Sequence, residues 1–218
     1  MTPHQFVVKW KASTLKERSA SQEHFIDLCR LIGQPTPAEV DPNGDHFTFE
    51  RGASKTGGGE GWADVWKKGC FAWEYKGKRK DLNAAFAQIQ RYAIALENPP
   101  LLVVSDMETI IIHTNWTNTV QDIHTIAIEE LEKPEVRQKL GWLFTKPERF
   151  RPGTTREMVT AQAAEAFASL AQRLHGQGYA SRRVAHFVNK LLFSMFAEDI
   201  GILPGHLFTR MLEACTKE

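Results

Sequence analysis

GEGWADVWKKGCFAWEYKGKRK, residues 59–80, holds Trp62, Val65, Trp66, Phe71, Trp73 and Tyr75, a set suited to sheet core, together with Asp64, Glu74 and Lys76. Charged side chains are seldom fully buried unless they are paired or hold a metal, so the stretch is either a solvated sheet face or a site. Read as a strand, FAWEYK sends Phe71, Trp73 and Tyr75 one way and Ala72, Glu74 and Lys76 the other, with Glu74 and Lys76 about 6.6 Å apart. GWADVW is its expected antiparallel partner through the loop Lys67-Lys68-Gly69. That register sets Trp66 opposite Cys70, Val65 opposite Phe71 and Asp64 opposite Ala72, which makes Asp64 the diagonal neighbour of Glu74 on one face.

Two neighbouring carboxylates repel, and both stay ionised cheaply when a cation lies between them. Magnesium, with oxygen ligands at roughly 2.1 Å and several retained waters, fits such a pair, and manganese is expected to substitute. Lys76 beside it would hold or activate an attacking water and neutralise charge on phosphorus. These are the parts of phosphodiester hydrolysis. On residue types alone many solvated hairpins would match. The context favours a site: aromatic strands on both sides, a glycine-rich loop before, a basic run after, and then a helix.

Outside the hairpin, the totals bound the answer. The 218 residues carry 27 Lys plus Arg against 26 Asp plus Glu, a net charge of +1 that does not mark a nucleic-acid binder. The basic run Lys67 to Lys80 is local, either a solvated loop or a phosphate-facing patch; Lys55, Lys78, Arg79 and Lys80 are the candidate nucleic-acid contacts. SKTGGGEG, residues 54–61, is read as a mobile loop and not as a nucleotide cradle, because Glu60 and not Lys-Ser/Thr follows the glycines. Cys29, Cys70 and Cys215 lack C-x-x-C spacing and read as plain buried thiols, neither a disulfide frame nor a zinc site. The amino end has no secretory h-region and no apolar run is long enough to span a bilayer, so the expected location is the cytoplasm, without a membrane partner. No H-E-x-x-H and no G-x-S-x-G is present.

A helix is expected from Ser21 to Ile32, a turn at DPNGDH and a short strand at FTFER. Residues 81–96 repeat Leu82, Ala85, Phe86, Ile89 and Ala93 as an amphipathic helix stopped by Asn98-Pro99-Pro100. LLVVSD, TIIIHT and VQDIHTIAI follow as strands, then a helix over Lys133–Phe144. The composition changes near Lys146, where KPERFRPGTT leads into helical sequence whose Val184, Phe187, Val188, Leu191 and Met195 are read as core packing. The fold class is therefore α/β, a mixed sheet flanked by helices over 1–150, followed by an all-helical segment over 151–218.

Asp64, the strand with Glu74-Tyr75-Lys76 and the helix after it resemble the PD-(D/E)xK nuclease superfamily in its strand, strand, helix, strand order. Gln88 and Tyr92 resemble its Gln-x-x-x-Tyr element. Over the whole chain GWADVW, EYKGKRKDLNAAFAQIQRY, LLVVSD and LLFSMFAEDIGIL resemble the amino-terminal part of MmeI-like restriction-modification enzymes, in which a nuclease domain and helical connector precede an adenine-N6 DNA methyltransferase and a target-recognition domain. The resemblance implies a magnesium-dependent DNA endonuclease with Asp64, Glu74 and Tyr75 at the metal, Lys76 as catalytic lysine, Gln88 near the site, and Glu23 as a first-helix glutamate. It implies double-stranded DNA, the methyltransferase and recognition domains of the same polypeptide, and a transient second copy as partners. Asn98-Pro99-Pro100-Leu101 lacks the aromatic residue of the N-P-P-Y methylation motif and serves as a helix stop. A non-catalytic docking module and a stand-alone repair nuclease are the alternatives.

Overall fold

A computed structural model describes residues 1–15, 17–54 and 60–215 of the chain. Its first helix, α1 (Pro3–Ala12), begins where the Thr2 hydroxyl accepts from the Gln5 N–H and the Gln5 side chain accepts from the Thr2 N–H, with Pro3 at the first turn. That reciprocal cap satisfies amides that a helix start leaves open. The sequence reading contains no helix before Ser21; α1 is new, and it buries Phe6, Val7 and Trp10. Next, α2 (Glu17–Leu31) sets Phe25, Leu28 and Cys29 inward, and a single turn, α3 (Pro37–Val40), precedes the sheet.

Six strands follow: β1 (Phe47–Ser54), β2 (Glu60–Lys67), β3 (Phe71–Tyr75), β4 (Leu101–Ser105), β5 (Thr109–Thr114) and β6 (Ile123–Ala127). They lie in chain order in one sheet, antiparallel throughout except that β3 and β4 are parallel. A parallel pair needs a crossover, and α4 (Leu82–Gln90), capped by Asp81 on the amides of Asn83 and Ala84, supplies it. This is the mixed sheet flanked by helices that the sequence reading expects. Residues 55–59, and with them Lys55 and the loop read as mobile, lie outside the described residues; Ser54, Glu60 and Gly61 belong to β1 and β2.

The β2–β3 hairpin corrects one expectation. Lys67 pairs with Phe71, Trp66 with Ala72 and Val65 with Trp73, around a Lys68-Gly69-Cys70 loop closed by the Cys70 N–H on the Lys67 carbonyl. Gly69 takes φ +67°, the left-handed conformation that a three-residue hairpin demands and glycine adopts without strain. Compared with the expected register the strands slip by two residues. A slip of one would have turned the strand over, whereas two preserves which side chains share a face.

Each face has its own core. On one side Phe25, Phe47, Phe71, Trp73 and Phe144 meet mostly edge to face with centroids 5.0–6.2 Å apart, joined by Tyr75, Val103, Ile112 and α1. On the other, α4 and the turns after it lay Ala85, Ile89, Tyr92 and Leu96 over Trp66, Ala72, Leu102 and Val104. The helix stops short of the expected residue 96: beyond Gln90 the chain tightens into i→i+3 turns, and the Leu96 carbonyl accepts from the Trp66 indole at 2.9 Å. A last helix of this unit, α5 (Pro134–Thr145), packs Leu140, Leu143 and Phe144 inward.

His24 of α2 is buried in the first core, and burial, with the charges of Lys9 and Lys78 nearby, pushes its pKa from 6.5 down to about 3. Between those two values the unfolded chain binds a proton that the folded chain refuses, so stability rises with pH through that window and is lost on acidification. Unfolding in urea should show the protein about 2 kcal/mol less stable at pH 5 than at pH 7 from this group. His24→Asn should flatten that slope.

The chain divides into two units, Met1–Thr155 and Arg156–Glu218. The second consists of α6 (Arg156–Gly176), α7 (Ser181–Asp199) and α8 (Leu207–Cys215), with the Glu198 carboxylate accepting from the first amides of α8. Here the core expectation is corrected. Only Val184 and Ala197 are buried in α7; Val188 and Leu191 are half-buried, while Phe187 and Met195 are each 47% exposed. Three helices leave one flank of α7 without a covering layer. No helix among the described residues is long and apolar enough to cross a membrane.

Candidate functional site

Glu74 is 4% exposed, on the α4 face of β3, and a carboxylate so placed needs partners for both oxygens. It has them. Oε1 accepts from Lys76 Nζ at 2.7 Å and from Gln88 Nε2 at 2.7 Å, and Oε2 accepts from the Tyr92 hydroxyl at 2.8 Å. Strand alternation puts Glu74 and Lys76 on one side, and the end of α4 with the tight turn after it brings Gln88 and Tyr92 down on them. Burial first, and then the negative charges of Glu74 and Asp64, hold the Tyr92 phenol well above its ordinary pKa, so it stays a donor.

Asp64 meets β3 through the strand's main chain. The β2–β3 ladder ends at Val65 and Trp73, and beyond that rung the Asp64 carboxylate itself accepts from the Tyr75 N–H at 2.6 Å. A side chain thus replaces the missing backbone acceptor where β2 leaves β3. The Asp64 charge adds a lesser contribution to the same rise at Tyr92, and the Lys76 ammonium on Glu74 is 23% exposed. Tyr75 turns its ring into the opposite core, so it has only main-chain atoms to offer here.

The structure does not bring Glu23 to these carboxylates. It lies on the exposed side of α2, paired with Lys9 at 2.6 Å, and Lys9 also holds the buried Asp27. The small cavity beside Asp64 is instead lined by Ser21, Gln22, Phe49, Glu50 and Val65. Successive helix residues point about 100° apart, so a face that includes Ser21 and Gln22 turns Glu23 away. Among the basic candidates, Lys78 caps the end of α1 through the carbonyls of Trp10 and Lys11 and pairs with Glu108. Its ammonium is committed there. Arg79 and Lys80 are exposed, with the Arg79 N–H on Asp106.

Two residues outside the predicted set join the site or its support. Tyr92 was legible only as the fourth residue after Gln88; His24, which meets the Tyr75 hydroxyl from α2, left no signal in SQEHF. For a metal, the donor set is two carboxylates, the hard oxygen ligands that magnesium and manganese prefer, and it fits such an ion. No group of three His, Cys, Asp or Glu able to hold a metal ion is present among the described residues.

Residues 1–177 match the family described as MmeI, N-terminal domain, and residues 182–218 match the family described as MmeI, helicase spacer domain. No curated protein matches. Among solved structures, a chain of the "cryoEM structure DrdV-DNA complex" is similar at 14% identity and a TM-score of 0.41, over 90% of this chain and 19% of that one. The chain thus spans about a fifth of that relative's length.

Proposed function

The chain belongs to the MmeI N-terminal domain family and runs on into the MmeI helicase spacer domain, and on that premise we propose that it is the magnesium-dependent DNA endonuclease part of a restriction-modification enzyme. The observation that carries the reading is Glu74: a buried carboxylate held at both oxygens by Lys76, Gln88 and Tyr92, with Asp64 tied to the main chain of the next residue, Tyr75. Such a fixed polar constellation is prepared before substrate arrives, which is where enzymes gain most of their electrostatic advantage.

Asp64 and Glu74 would hold the ion, which when bound supplies Lewis-acid polarisation of the phosphate and a more acidic water. Gln88 and Tyr92 keep the Glu74 carboxylate from rotating. Lys76 Nζ, already a donor at 2.7 Å, orients the attacking water and offsets the negative charge that grows on the phosphoryl oxygens. The water oxygen gives up a proton to solvent as it forms a bond to phosphorus, one ester P–O bond breaks, and the departing oxygen takes a proton from solvent. The exposed Arg79 and Lys80 would meet backbone phosphates, with double-stranded DNA as the partner and most of the affinity coming from recognition and methyltransferase domains of the same polypeptide.

The natural full-length protein should cut DNA with magnesium or manganese and stop when the ion is chelated. Cutting that persists in excess chelator would overturn the reading, as would binding of DNA without cutting at any magnesium concentration, the behaviour of a docking module.

A further inference from the structure

Tyr75 stands at a fork. The β2 ladder has ended two residues earlier, at Trp73, so on that side the Tyr75 N–H is held by the Asp64 carboxylate; on the other side Tyr75 pairs with Ser105 of β4, whose carbonyl accepts from the Lys76 N–H at 2.8 Å. Its two neighbours in sequence, Glu74 and Lys76, project from the opposite face into the candidate site. Any roll of the strand end about its own axis would swing all three groups together. What resists that roll is the tyrosine side chain, buried and stacked on Trp73 with centroids 5.8 Å apart.

At the tip of that side chain the hydroxyl meets Nδ1 of His24 at 2.8 Å. His24 is 1% exposed, ringed by Phe6, Trp10 and Tyr75 at centroid distances of 5.3, 4.8 and 5.5 Å. Its Nε2 has no hydrogen-bond partner among the described residues, so its polar tie to the protein is the one with Tyr75. A buried polar ring in an aromatic cage is costly, and a fold tolerates it where the hydrogen bond it makes has a use.

We propose that His24 is a positioning residue for the Asp64, Glu74 and Lys76 site: it pins the Tyr75 hydroxyl and thereby fixes the roll of the β3 end. Both groups stay neutral, since burial lowers the imidazole pKa and raises that of the phenol, and one proton is shared between Oη and Nδ1. The helices α1 and α2 thus act on Glu74 through Tyr75, from the far side of the sheet. For its activity readout this inference rests on the nuclease reading.

The test uses the natural full-length protein with His24→Leu, His24→Asn, Tyr75→Phe and the double variant His24→Leu/Tyr75→Phe. Losing the bond should speed amide exchange over residues 74–76 by about tenfold while leaving α4 and β4 unchanged. The double variant should go no further than either single one, because both remove one bond. His24→Asn, whose amide oxygen falls near the place of Nδ1, should restore slow exchange. In cleavage, kcat should fall about tenfold with KM for DNA held within about twofold. Unchanged exchange over 74–76 in Tyr75→Phe, which keeps the packed ring, overturns the proposal, and so does a general loosening of both cores. A wild-type protein that cuts no DNA ends the nuclease reading alone, and the exchange pattern then decides the role of His24.

Discussion

Lys76→Ala should cut the rate of magnesium-dependent DNA cleavage by roughly a hundredfold to a thousandfold, the usual cost of removing one donor from a prepared site. The substitution leaves Glu74 with Gln88 and Tyr92 still on its oxygens, so the carboxylate keeps its place while the group that orients water and offsets charge is gone. Circular dichroism and thermal unfolding should show a folded protein somewhat less stable than wild type, since a buried charge has lost its ion partner. DNA binding without cleavage should survive. Single-turnover cleavage measured beside wild type decides the matter: undiminished cutting by the variant removes Lys76 from the mechanism and moves the cleavage away from this site.

The second large effect is on stability. Trp73 is fully buried, edge-on to Phe25 at 5.4 Å and to Phe71 at 6.0 Å, and stacked on Tyr75. Trp73→Ala should cost about 3–5 kcal/mol in urea unfolding, a large part of the roughly 5–15 kcal/mol that holds a domain together. The contrast is Trp73→Phe. The Trp73 indole N–H is buried without an acceptor among the described residues, so a phenyl ring gives up some area but relieves an unsatisfied donor. It should cost well under half as much as the alanine variant, and an equal loss from both would show that ring volume is not what matters at that position.

The two faces of β3 were legible in the sequence because strand geometry has period two, and an error of two in the hairpin register leaves that period intact. Glu74 and Lys76 therefore share a side as expected although the rung was wrong. Helix α1 went unread because its apolar residues are interleaved with Lys9 and Lys11; its signal was local, Thr2 and Pro3 followed by Gln5. Glu23 is found paired with Lys9 on the exposed side of α2, and one residue along a helix changes a side chain's heading by about 100°, finer than a guess at the helix start allows. The Phe and Met positions of α7 show the opposite limit. Periodicity says that a helix has an apolar side, and it says nothing of whether anything lies against it.

The groups that grip Glu74 come from positions 2, 14 and 18 residues further along the chain. Closing loops that short costs little chain entropy, since the penalty grows only with the logarithm of length. This constellation can therefore assemble as a local unit early in folding, while the long-range contact from His24, 51 residues away from Tyr75, is left to arrive late and set its final pitch.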